Sequence, residues 1–91
     1  MLVIVAYDLS DDRRRTRLHD TLKQFGTHVQ KSVVECWLTP REILRMKQAV
    51  YEIVRERLDE VRFYYLCEAC QRRIEATAAS KMTSDPPLII V

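Results

Sequence analysis

Leu2 to Arg17, LVIVAYDLSDDRRRTR, is the stretch whose reading decides the fold. Leu2 to Ala6 are apolar and rich in β-branched side chains, and Tyr7 carries the run into Asp8. A continuous apolar run of this kind reads as a strand buried on both faces. Ser10, Asp11 and Asp12 then supply turn and cap chemistry, and Arg13, Arg14, Arg15 and Arg17 crowd the start of a helix. Asp8 therefore ends a strand, where α/β-type layouts gather ligands. A carboxylate there, beside guanidinium groups, suits a metal ion next to a phosphate. Residue types alone favour a plainer role, in which Asp8 caps the next helix or pairs with an arginine.

The helix after this strand carries Leu18, Leu22 and Phe25 at spacings that form one buried stripe, with Arg13, Arg14 and Arg17 off it and exposed. Gly26, the only glycine, falls where a helix takes a left-handed terminating residue. Thr27 to Leu38, THVQKSVVECWL, reads as extended, either as one long strand or as two short ones bent near Lys31 and Ser32. Thr39-Pro40-Arg41-Glu42 opens a second helix with a capping threonine, a proline at the first position and a glutamate three residues after the cap. Its apolar face comprises Ile43, Met46, Val50, Ile53 and Val54, with Leu58 near its end. Glu60 to Cys67 alternates as a strand, and Arg73 to Ala78 suggests another short one. Ser80 to Pro87 reads as a linker to the apolar Leu88-Ile89-Ile90-Val91. Such a tail is expected to dock on a sheet edge, the partner protomer's rather than its own.

This order predicts an α+β fold, a ferredoxin-like βαββαβ sandwich with an extra C-terminal strand. Residues 1–79 form the domain and 80–91 the linker and strand. Ninety-one residues allow one small core, and a sheet of this kind completes it by pairing with a second copy. The formal charge of +2 proves no nucleic-acid partner, so a basic surface must come from arrangement. Three cysteines with no signal peptide ahead of them suit a reducing cytoplasm, and no run is long enough to span a bilayer.

Three boxes carry a family resemblance over roughly Leu2 to Thr77. They are Ala6-Tyr7-Asp8-Leu9-Ser10-Asp11-Asp12 with its arginines, Val29-Gln30-Lys31-Ser32-Val33-Val34-Glu35-Cys36, and Val61-Arg62-Phe63-Tyr64 with Leu66-Cys67 and Arg73-Ile74-Glu75. In this order and at these separations they resemble CRISPR-associated protein two, the small adaptation protein of CRISPR systems. The resemblance implies a homodimer whose C-terminal strands cross to the partner's sheet. It implies metal-dependent cleavage of single-stranded RNA or of double-stranded DNA, and a bridge between two dimers of the CRISPR integrase, Cas-one, during spacer capture. Asp8 matches the family's metal-binding and catalytic aspartate, two copies of which would face each other across the dimer and share one Mg²⁺ ion. Tyr7, Arg14, Arg15 and Arg17 match positions implicated in substrate contact. Val34 stands where the family usually has an aromatic residue, a change that bears on cleavage if that ring lines the cleft.

Beside the resemblance, the residues themselves offer Asp8 as the one well-placed carboxylate. A metal-dependent hydrolase ordinarily gathers several, so duplex binding ranks ahead of hydrolysis. Arg13 to Arg17 and the arginines of the second helix are the candidates for phosphate contact. His19 and His28 read as structural or surface residues. Cys67-Glu68-Ala69-Cys70 has the spacing of half a zinc site or of a redox pair, but no second pair completes a zinc site, and a buried turn is the expected role. A ferredoxin-like regulatory module is a third class, which the single glycine and the lack of a small-molecule pocket disfavour.

Overall fold

The elements run β1 (Leu2–Asp8), α1 (Asp12–Lys23), β2 (Thr27–Gln30), β3 (Val33–Trp37), α2 (Pro40–Ile53), β4 (Glu60–Leu66) and α3 (Glu68–Gln71). This computed structural model describes residues 1–85; the apolar run Leu88 to Val91, and with it the expected tail strand, lies outside the described residues. The strands form one sheet in the order β2-β3-β1-β4, with every neighbouring pair antiparallel. That is the ferredoxin-like arrangement the element order predicts. The stretch after α1 resolves into two strands, β2 and β3, joined at Lys31 and Ser32, with a register irregularity between His28 and Gln30.

Both long helices cover one face of the sheet. Val3, Val5 and Tyr7 from β1 and Val34 and Cys36 from β3 meet Leu18 and Leu22 of α1 and Met46, Val50 and Ile53 of α2. Strand alternation sends Ile4, Ala6 and Asp8 to the opposite face. There Ile4 and Ala6 are only half-buried and Asp8 is exposed. The reading of β1 as buried on both faces is thus corrected: one face lies under the helices, and the other is open in the single chain. Leu2, flanked in register by Trp37 and Leu66, is the fully buried exception.

Local chemistry sets the helix starts. Asp11 caps α1, its carboxylate accepting the Arg14 N–H at 2.9 Å. Thr39 and Glu42 form a reciprocal capping box on α2, with Pro40 at its first position. Other expectations need correction. Leu58 does not extend the α2 stripe, because the helix stops at Ile53 and leaves Leu58 exposed in the following turn. Arg14 is not a free surface group: its guanidinium donates to both Asp59 oxygens, at 3.1 and 2.9 Å. The Asp59 side chain is fully buried and also accepts the Arg55 N–H at 2.8 Å. Arg14, then the Arg55 amide, hold its carboxyl below the usual aspartate range.

Gly26 has no positive φ, so it is not a left-handed helix terminator. It is the residue whose missing side chain lets the chain pass against β3. No strand forms over Arg73 to Ala78; instead α3 follows β4 directly, tied back by the Gln71 side-chain amide donating to Leu66 O at 2.8 Å.

Candidate functional site

Asp8 closes β1 on the open face. The β1–β4 register places it directly opposite Glu60, the first residue of β4. Register partners on antiparallel strands point their side chains to the same face, so two carboxylates share that face at the strand ends. They line a pocket of about 360 Å³ together with Ala6, Tyr7, Ser32, Val33 and Arg62. The ion pairs among the described residues are Arg14–Asp11, Arg14–Asp59 and Arg15–Asp12, and neither Asp8 nor Glu60 belongs to one.

Among the described residues no group of three or more His, Cys, Asp or Glu side chains is placed to hold a metal. Two exposed carboxylates nevertheless fit Mg²⁺, which keeps several waters and binds through one or two such groups. They do not fit zinc, which takes four ligands of which most are nitrogen or sulfur. Like charges facing each other across a sheet are mutually unfavourable, and a cation between them relieves this. Sequence reasoning missed Glu60 because the pairing of β1 with β4 depends on register, which strand patterning alone does not give.

The other site candidates lie elsewhere. Tyr7 lines the pocket through its place in β1, but its side chain turns to the helix face and is 5% exposed. Arg14 is held by Asp59; Arg15 donates to Leu9 O at 3.1 Å and pairs with Asp12. Arg17 is exposed on α1, beside a shallow groove lined by Asp12, Arg13, Thr16 and Asp20. None of these arginines lines the Asp8 pocket. The one that does is Arg62, which donates to the Tyr64 hydroxyl at 3.1 Å.

The Tyr7 hydroxyl joins two histidines beneath the sheet, 3.2 Å from His19 Nδ1 and 2.9 Å from His28 Nε2. The two imidazoles stack at 3.8 Å. His28 Nδ1 is buried without a partner, so its lone-pair form is the cheaper one. That places the proton on His28 Nε2, which donates to the tyrosine oxygen, while the tyrosine O–H faces both His19 Nδ1 and the Lys31 carbonyl oxygen, the latter at 3.4 Å. Both histidines are thus tied to β1 through the Tyr7 hydroxyl. Burial, then the neighbouring His19 and Lys23, push the His28 pKa down. The unfolded chain thus takes the proton first as pH falls. Stability is unaffected above about pH 6.5 and declines as pH drops from there through the lower folded value. His28→Leu is expected to flatten this acid limb in thermal melts between about pH 7 and pH 5. Tyr7→Phe is expected to lower stability by about 1–3 kcal/mol throughout, because it orphans two ring nitrogens.

A four-stranded ferredoxin-like sheet with helices on one face, and an acidic pair where β1 ends beside the start of β4, defines a small α+β domain. The family model for CRISPR associated protein Cas2 matches residues 1–74, and the chain belongs to that family. It is similar to a CRISPR-associated endoribonuclease Cas2 of Synechocystis sp., 32% identical over 90 residues that cover 99% of this chain and 98% of the relative. A like-named relative from Chloroflexus aurantiacus is 33% identical over 94% of this chain and 92% of its own length. The crystal structure of Streptococcus pyogenes Cas2 at pH 6.5 superposes with a TM-score of 0.74 at 34% identity, covering 86% of this chain and all of that one. A protein of Thermus thermophilus described as hypothetical superposes at 0.79 with 31% identity, over 89% and 94% of the two chains.

Val34, where the resemblance leads one to expect an aromatic residue, falls on the helix side. Val34 is fully buried, paired in register with Val5, on the face opposite Asp8. It belongs to the core and does not line the Asp8 pocket. Among the described residues no helix is long and apolar enough to cross a membrane.

Proposed function

We propose that the protein is a cytoplasmic CRISPR adaptation protein that acts as a homodimer with the integrase, Cas-one, to hold duplex DNA during spacer capture. Magnesium-dependent cleavage of RNA or DNA at Asp8 is its second activity. Family membership across residues 1–74 is the observation that carries this reading. The open face supports the dimer: Ile4, Ala6 and Val33 are half-buried there and Tyr64 is 45% exposed, a surface that a second copy would cover, whereas Trp37 is already hydrogen-bonded to Thr83 of its own chain. Two-fold pairing doubles every exposed arginine, including Arg13, Arg17, Arg41 and Arg45, and phosphate contacts of this kind position a duplex without reading its sequence.

Asp8 and Glu60 would hold the ion, one Mg²⁺ shared between the Asp8 carboxylates of the two protomers. When bound, such an ion supplies an activated water and offsets phosphate charge. Arg62 at the pocket wall would pair with a further phosphate oxygen. Free-standing ribonuclease action is the second reading, favoured by the endoribonuclease names of the relatives and by the second carboxylate at Glu60.

Spacer integration by the purified protein with its Cas-one, run alongside RNA and DNA cleavage on the same preparations, separates the two. Asp8→Ala is expected to abolish cleavage and to leave integration and dimerisation in place. Loss of integration together with cleavage in a variant that still dimerises would make the metal site part of the main function. Absent integration by the wild-type protein, beside robust cleavage, would overturn the adaptation reading in favour of the ribonuclease.

A further inference from the structure

Cys67-Glu68-Ala69-Cys70 is used neither by the fold core nor by the Asp8 pocket. The expected buried turn is not what forms: both cysteines are exposed, and Cys67 immediately precedes α3. The third cysteine, Cys36, is buried, and burial, then Glu35, push its thiol up to about 12. One thiol is therefore inert while two are open to solvent.

The spacing places the exposed pair one helical turn apart on the same side of the chain. Helix geometry sets their Cα atoms about 5 Å apart, inside the window of about 4.4–6.8 Å that a disulfide spans. Cys67 is the N-cap residue of α3, and its exposed thiol lies within hydrogen-bonding reach of the Cys70 thiol. The adjacent Cys70 amide and thiol still favour the Cys67 thiolate and hold that thiol below its usual range, whereas the bond to Cys67 holds Cys70 above it. An easily ionised thiol beside a harder one is the division between attacking and resolving cysteines. Gln71 N–H donates to Cys67 O at 2.9 Å, and the Gln71 side chain ties the turn to the end of β4.

We propose that Cys67 and Cys70 form a thiol–disulfide exchange site for small soluble disulfides of the glutathione class. The Cys67 thiolate attacks one sulfur of the small disulfide, whose S–S bond breaks. One small thiolate leaves and takes a proton, and Cys67 carries the mixed disulfide. Cys70 then gives its proton to solvent and attacks Cys67 Sγ, expelling the second small thiol. The protein loses two electrons in forming the Cys67–Cys70 bond, and the small disulfide is reduced to two thiols. Excess small thiol runs the sequence backwards.

The test treats the whole protein with glutathione disulfide under native conditions and follows it by intact mass, thiol titration and peptide mapping. The wild type is expected to lose two of its three thiols, to form one internal Cys67–Cys70 bond, and to regain both thiols with reduced glutathione. Cys70→Ser is expected to trap glutathione on Cys67. Cys67→Ser is expected to slow the reaction by at least about 10-fold, the advantage lost with the more ionised thiol. Both positions are exposed, so unchanged melting curves check that neither variant acts through the fold. Equal rates in the two variants, or glutathione left on both cysteines of the wild type with no internal bond, would overturn the proposal. So would protection of both thiols by zinc alone in a protein that glutathione disulfide leaves reduced.

Discussion

Gly26→Ala is expected to destabilise the protein by about 3 kcal/mol, the upper end of what overpacking inflicts. In a domain of this length that is a large share of a total of about 5–14 kcal/mol, and it lowers Tm by roughly 12–20 °C. A Cβ at Gly26 would land against the Glu35 carbonyl oxygen and 2.6 Å from Cys36 Sγ. The carbonyl cannot yield cheaply, because Glu35 pairs with Thr27 on one side and with Ile4 on the other. The same substitution separates two explanations of this glycine. Were it a left-handed helix terminator, asparagine would be tolerated better than alanine. Close approach predicts the reverse, since asparagine brings more atoms to the same contact. Thermal melts of Gly26→Ala and Gly26→Asn decide the matter: a milder asparagine variant would sink the steric account.

Gly26 also shows where sequence reading stops. Its position after α1 was legible, but its reason was not, because the obstructing atoms lie on β3 and belong to a contact made only after folding. Thr39-Pro40-Glu42 was read correctly because a capping box is closed within four residues. A cap from Asp11 or Asp12 at the start of α1 was legible for the same reason, and the structure selects Asp11. The stripe Leu18, Leu22 and Met46, Val50, Ile53 was visible as periodicity, which burial imposes on any helix lying on a sheet. Arg14 with Asp59, and Tyr7 with His19 and His28, were not visible, since these partners lie 45, 12 and 21 residues apart. Composition offers no signal that one arginine among four in a five-residue stretch will be held in a bidentate pair. At the site, the family boxes marked Asp8, whereas Glu60 and Arg62 became neighbours of it only through the antiparallel β1–β4 register.

Register has a further consequence for the site. Asp8→Asn is expected to reduce magnesium-dependent cleavage by at least about 100-fold, more than the loss of a group that merely supports a metal ligand. It is expected at the same time to raise the Tm of the metal-free protein, by up to about 5 °C at low salt, because it removes one of two like charges that face each other across β1 and β4. Glu60→Gln should give a similar gain in metal-free stability, with a smaller loss of cleavage and a magnesium midpoint raised on the order of 10-fold. The wild type should gain thermal stability on adding Mg²⁺, and Asp8→Asn should not, since only a state that binds the ion is stabilised by it. Salt separates this from a general effect of charge: the Asp8→Asn gain should shrink as ionic strength rises, while the cleavage defect should not. A metal-free Asp8→Asn protein no more stable than wild type would mean that the carboxylates are not in opposition, and Glu60 would then have no claim on the ion. A gain in stability with cleavage intact would leave the opposition standing and remove Asp8 from the chemistry. The two measurements thus separate the repulsion from the reaction: metal-free melting reads the opposition of Asp8 and Glu60, and cleavage reads the role of Asp8 in the chemistry.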